Sequence, residues 1–168
     1  MSGSYICDTC GKTHDGAPLS WGPDAPYMWG ALTPDERSKR GELGTDQCVI
    51  DEKHFFVRGR IEIPVLDTGE AFAWLVWVEV SPSDFARMSK VWTVAGREKT
   101  SPMYEGRLAN ELPIYENPTL GLTAKLHTRA VGVRPLVELT GTHELANEQR
   151  NGISSHRVQE IADKLMGG

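Results

Sequence analysis

Two apolar runs set either side of a short polar stretch constrain this chain most: "HFFVRGRIEIPV" at 54–65 and "AFAWLVWVEV" at 71–80. Side chains alternate along an extended strand. Phe55, Val57, Gly59, Ile61 and Ile63 therefore share one face of the first run, and His54, Phe56, Arg58, Arg60 and Glu62 the other. The second run is apolar on both faces apart from Glu79, which predicts a central strand. Between them "DTGE" (67–70) predicts a hairpin with Thr68-Gly69 as a two-residue loop. That register sets Arg58 opposite Glu79 and Arg60 opposite Trp77. The ion pair and the cation–π contact would each contribute roughly 0.2–1 kcal/mol. Both arginines thus have a structural use before any anion is invoked.

Around this pair the chain alternates less clearly. Residues 1–32 are rich in Gly, Pro, Trp and Tyr without a clean period, and read as an irregular N-terminal segment wrapped onto the domain by its aromatics. Thr33, Pro34 and Glu36 form a capping-box pattern that predicts a helix from Pro34 to Arg40, ended by Gly41 or Gly44. "CVID" (48–51) is a short strand. Ser81 caps a helix over 81–94 that carries Phe85, Met88 and Trp92 on one face. Two strands follow at about 119–129 and 134–140. Two helices close the chain, 143–150 and a second with Val158, Ile161 and Leu165 as its apolar stripe. The order lacks strand–helix–strand alternation. The expected class is therefore α+β, a mainly antiparallel sheet of about five strands with helices packed on it and a metal-knuckle-like N-terminal segment. One domain over 1–168 is expected, with 33–168 as its core.

A net charge of −5 speaks against nucleic acid or an anionic membrane as partner. "MSGSYICDTC" has neither a basic nor an apolar leader region, so no signal peptide is expected. The most apolar run, 71–80, is about half the length of a membrane span. A cytoplasmic location is the resulting expectation, and there the three cysteines serve as metal ligands or free thiols rather than as a disulfide framework.

The most chemically loaded stretch is "CDTCGKTH", 7–14. A C-x2-C turn offers two thiolates to a tetrahedral zinc ion, and Gly11 lets the backbone turn its N–H groups toward sulfur. His14 can close the same loop, and Cys48 is the one remaining thiol. Cys7, Cys10, His14 and Cys48 form the natural four-ligand set. It is half of a specific signal, because a second C-x2-C or an H-x3-5-H is missing. Reduced, partly buried thiols are the alternative. A redox couple is third, since "GKTHDGAP" supplies no helix to lower a thiol pKa.

Other candidates have plain structural readings beside the functional one. Cys48 with His54, His127 or His143 would make a nucleophile and base, but "DQCVID" is a strand and favours a core or ligand cysteine. His143 opens a helix and suits a cap; His127 lies on the polar face of its strand. Asp46, Asp51 and Glu52 cluster as acid–base pairs do, and also as turn residues do. Trp21, Tyr27 and Trp29, with Pro18, Pro23 and Pro26 among them, suit a ligand groove or a lid packed on the core. No G-x-G-x-x-G, P-loop or H-E-x-x-H motif is present.

In order along nearly the whole chain run C-x2-C-G-x2-H (Cys7, Cys10, His14), D-x-C-x-I (Asp46, Cys48), F-x-R-G (Arg58, Gly59) ahead of I-P, and H-x-L-A-x-E-Q (His143, Gln149). The chain in this respect resembles an uncharacterised bacterial family, domain of unknown function 2199. The resemblance implies a stand-alone, cytosolic, single-domain bacterial protein and draws Cys48 toward the N-terminal knuckle. It implies no activity. The expected function is a non-enzymatic protein with a structural zinc clip that acts by binding another protein, such as an immunity or regulatory partner. The alternative is a metal-dependent hydrolase with an open zinc position.

Overall fold

The computed structural model describes residues 4–6, 13–15 and 17–167. Strands β1 (Ser4–Ile6) and β2 (Thr13–Asp15) form a separate antiparallel pair. Then come β3 (Ser20–Trp21), α1 (Tyr27–Gly30), α2 (Pro34–Arg40), β4 (Gly41–Leu43), β5 (Gln47–Ile50), β6 (His54–Pro64) and β7 (Ala71–Val80). After these follow α3 (Pro82–Lys90), α4 (Arg97–Thr100), β8 (Tyr104–Leu108), β9 (Thr123–His127), β10 (Leu136–Leu139), α5 (Glu144–Asn151) and α6 (Ser155–Met166). The α+β class holds, but the sheet is larger than expected and is not simply antiparallel. It has eight strands in the order β3-β7-β8-β9-β10-β6-β5-β4, and the additional β6–β7 pairing closes β6 to β10 into a five-stranded barrel.

The parallel closure is a matter of parity. Each step from β6 to β10 is antiparallel, so the fifth strand runs in the direction of the first, and β10 meets β6 in parallel at Leu136 and Arg60. The two backbones come close there. A Cβ at Gly59 would sit 2.6 Å from Val137 Cγ2 and 3.0 Å from the Pro135 carbonyl oxygen. Past Arg60 the seam is completed from outside the barrel. The Gln149 side chain of α5 accepts from Leu139 N (2.8 Å) and donates to Val137 O (2.7 Å). Further along, Ile153 N donates to Pro64 O and accepts at its carbonyl from Leu66 N. An amide side chain thus stands in for one strand's worth of ladder.

The β6–β7 hairpin is shifted by two residues from the expected register. Val65 N donates to Glu70 O, and Gly69, at φ 73°, closes a four-residue loop instead of a two-residue one. Arg58 therefore faces Trp77, and Phe56 faces Glu79. A shift of two keeps every side chain on its predicted face. The cation–π contact forms with Arg58 rather than Arg60, its guanidinium carbon 5.6 Å from the Trp77 ring centre. No ion pair joins Arg58 to Glu79, which bonds His54 Nδ1 at 2.8 Å.

Capping follows the sequence closely. Thr33 and Glu36 form the capping box of α2, Ser81 caps α3 and Ser154 caps α6. Helix α3 stops at Lys90, short of the predicted 94. The main core lies within the barrel and beneath the C-terminal helices, with Ile61, Phe72, Val76, Leu126, Val137, Leu145 and Ile161 all inaccessible. A second cluster (Cys48, Ile50, Phe56, Trp77, Ala109) lies on the other face of β5 to β7, under Met28, Trp29 and Leu32. Residues 17–32 are thus a cover, with Trp21 packed on the main core as well. Asn110 fixes it, accepting from Trp77 N (2.7 Å) and donating to Ala25 O (3.0 Å).

Replacing Gln149 with Leu keeps the volume and leaves two buried backbone groups of β10 unpartnered. Chemical denaturation should show a loss of about 2 kcal/mol; an unchanged midpoint would mean that the amide does not hold the seam.

Candidate functional site: an arginine-lined cleft at the barrel end

Of the sequence-derived metal set, Cys7 and Cys10 lie outside the described residues, and His14 is placed by its backbone alone, in β2 opposite Tyr5. Cys48 is a free thiol at the centre of β5, 1% exposed and surrounded by the apolar groups of the second cluster. Burial pushes it up to about 11. Among the described residues no three His, Cys, Asp or Glu side chains come together in a way that would hold a metal.

The other candidates separate into structural pairs. His54 bonds Glu79, and His127 Nε2 lies 2.8 Å from Glu138 Oε1. His143 is the N-cap of α5, its Nδ1 accepting from Leu145 N while Nε2 donates to Asn117 O. Asp51 receives a bidentate pair from Arg40, whereas Asp46 faces another part of the molecule and pairs with Arg134. The predicted carboxylate cluster is therefore dispersed. Asp51 and Glu52 are the left-handed central residues (φ 57° and 52°) of the turn from β5 to β6, and so their proximity in sequence serves the turn.

What the chain does assemble is a cluster of arginines. On the N-terminal side of Arg60 strand β6 pairs with β5 and no longer with β10. The opening is roofed by the β9–β10 connection, 128–135, and flanked by the segment after α3. Arg58, Arg60, Arg97, Arg129 and Arg134 line adjoining cavities here against two carboxylates, Asp46 and Glu62. In a chain of net charge −5 this is a local excess of positive charge.

These arginines have different tasks. Arg97, 6% exposed, donates to the carbonyls of Trp92, Arg129, Ala130 and Val133 and stacks on Trp92, so it fastens the roof. Arg129 and Arg60 both donate to Glu62 Oε2, at 3.0 and 3.2 Å. Burial would raise the Glu62 pKa, but the bonds and charges of these two arginines outweigh it and hold it low. Arg134 Nε donates to Asp46 Oδ1 at 2.7 Å, with both side chains 31% exposed.

Arg58 is the exception. Its side chain is 10% exposed; one Nη donates to Pro23 O at 3.0 Å, and Asp24 lies 3.7 Å away, fully exposed. Its Nε is buried with no partner among the described residues. Burial, then the nearby charge of Arg134, lower its pKa from the ordinary guanidinium value.

Beside Arg134 a cavity of about 210 Å³ is bounded by Asp46, Trp92, Thr93 and the turn Val131–Val133. Val94, Val131 and Val133 are each more than two-fifths exposed. The cleft therefore offers guanidinium donors next to apolar surface, a pairing suited to a planar oxyanion carried on an apolar body. Sequence reasoning credited Arg58 and Arg60 with sheet contacts and passed over Arg129 and Arg134. The available signal was a pair of arginines flanking "AVGV" between two strands.

For Cys48, the folded thiol keeps its proton where the unfolded one, with an ordinary value of 9.0, has lost it. A raised acid pKa means stability present at neutral pH and lost as pH rises from about 9 to about 11. The expected loss from this group is of order 2 kcal/mol, read as the difference in pH dependence between the parent and Cys48→Ala. Parallel curves would show that burial does not hold this proton.

No curated protein and no solved structure was found to match the chain. A family model described as an uncharacterized protein conserved in bacteria (DUF2199) matches residues 6–153, most of the chain and all five strands of the barrel. The chain belongs to that family.

Proposed function

We propose that this chain is a non-enzymatic binding protein of the bacterial cytosol, and that it engages a partner through the arginine-lined cleft. The observation that carries the reading is Arg58, nine-tenths buried, with an unpartnered Nε in a cleft where arginines outnumber carboxylates five to two. A buried guanidinium with unused donors is costly unless an acceptor reaches it. The partner supplies that acceptor as an anionic group, and the exposed valines meet its apolar surroundings. A protein partner of regulatory or immunity type is the version favoured here. The histidines support the non-enzymatic reading: His54, His127 and His143 are engaged in ion pairs or a helix cap. The test is a titration of the Arg Nε–Hε NMR resonances with acetate and, separately, acetamide. Arg58 and Arg134 should shift with acetate alone, and Arg134→Gln should weaken the response at Arg58. Identical spectra with and without anion would sink the reading.

The second part of the proposal is a structural zinc ion on Cys7, Cys10, His14 and Cys48. The β1–β2 register supports the first three, since its last pair, Ile6 with Thr13, brings together the ends of the stretch that carries both N-terminal cysteines. Cys48 fits less readily, in an apolar setting under Met28, Trp29 and Leu32 that favours the protonated thiol. Zinc would supply folding free energy through its ligands. Elemental analysis should find one zinc per chain, lost in Cys10→Ser together with a lower melting temperature. A parent protein that melts identically with and without chelator would remove the clip, and zinc retained in Cys48→Ala would leave Cys48 out of it.

A further inference from the structure

The Arg134–Asp46 ion pair stands between two cavities. Asp46 and Arg134 line both the one bounded by Trp92, Thr93 and Val131–Val133 and the one bounded by Arg60, Glu62 and Arg129. The pair is partly exposed, 31% on each side, and such pairs contribute little net stability because water competes for both partners. Asp46 is held by its main chain as well, its carbonyl accepting from Arg58 N at 2.9 Å. Its carboxylate can therefore swing away without moving β5 or β6. Resting on Arg134, it occupies the position that an incoming anion would need.

We infer that Asp46 is a built-in competitor, a carboxylate that fills the anion position at Arg134 until a ligand carboxylate joined to a small apolar body displaces it. This rests on the proposed binding role of the cleft and names what the cleft takes. The resident group is a carboxylate, so the position already has carboxylate geometry, and a guanidinium fork matches such a planar acceptor. The apolar part follows from Val131 and Val133, 43% and 44% exposed, and from Trp92, which lines the same cavity. At about 210 Å³ that cavity is smaller than the roughly 300–1,000 Å³ common for drug-sized ligands. It suits a group the size of one apolar residue. Two sources share this chemistry: the C-terminal residue of a peptide ending in Val, and a free branched acid.

The experiment measures affinity by titration calorimetry for isovalerate, for acetyl-Ala-Val with a free C-terminus and for the same peptide as its C-terminal amide. The parent protein, Asp46→Asn and Arg134→Gln are compared, and a thermal melt confirms that each is folded. If Asp46 competes, Asp46→Asn binds the free-acid probes roughly fivefold tighter, since removing a competing state raises the competent fraction. Arg134→Gln binds them more weakly, and the amide binds none of the three proteins well. A ratio favouring the peptide over isovalerate assigns the site to a chain terminus, the reverse to a free acid. Should Asp46→Asn bind more weakly or equally, Asp46 positions Arg134 or is a bystander, and the inference is wrong while the binding role stands. If Asp46→Asn fails to fold, the Arg134 Nε–Hε resonance of the parent decides: exchange of its partner on adding isovalerate supports displacement, and an unmoved resonance overturns it. No binding of any acid by the parent removes the binding role itself.

Discussion

The structure depends on one close approach, that of β10 to β6 in parallel at Arg60. Five strands joined by antiparallel steps can close only in this way, and the closure needs a residue without a side chain at 59. Everything distinctive about the molecule follows from how short that seam is. Because only one pair of residues bridges the two strands, an amide from α5 and the chain at Ile153 must finish the ladder on one side. On the other side the strands diverge, and the space left between them is the cleft. The same economy that leaves the barrel incomplete therefore provides a concave surface.

The cleft's electrostatics derive from a division of labour among like residues. Arg97 spends its donors on backbone carbonyls and makes the roof rigid. Arg60 and Arg129 share one carboxylate, which offsets one of their two charges. Arg58 and Arg134 keep capacity in reserve, one through an unused Nε and the other through a solvent-accessible ion pair. A buried cation without full compensation raises the free energy of the empty state, and an acceptor of opposite charge relieves it.

What could be read from the sequence divides by range. Facing in β6 and β7 was legible, because a period of two is insensitive to a register slip of two, and so Phe56 and Val57 fell on the sides expected of them. The register was not, because it depends on whether Leu66 and Asp67 belong to strand or loop, which no local signal decides. Caps were legible where a side chain serves its own helix, as with Thr33, Ser81 and His143. Strand β8 escaped notice since its inward positions are Tyr104, Gly106 and Leu108, too small at the centre for an apolar alternation to show. The cleft was invisible for a different reason. Arg58 and Arg134 meet only once the barrel has closed, and closure is a property of the whole chain.

That distance carries a consequence for how the molecule forms. The hairpin of β6 and β7 joins neighbours in sequence and can assemble early, whereas Arg60 and Leu136, 76 positions apart, must find each other across the chain. Loop-closure entropy is spent before such contacts return anything, so distant pairings are slow and tend to come last. The arginines on either side of the seam thus converge only at the final stage of folding. A chain arrested before that stage would hold its helices and its first hairpin, yet would lack the cleft. The cleft is in effect restricted to molecules that have completed their fold.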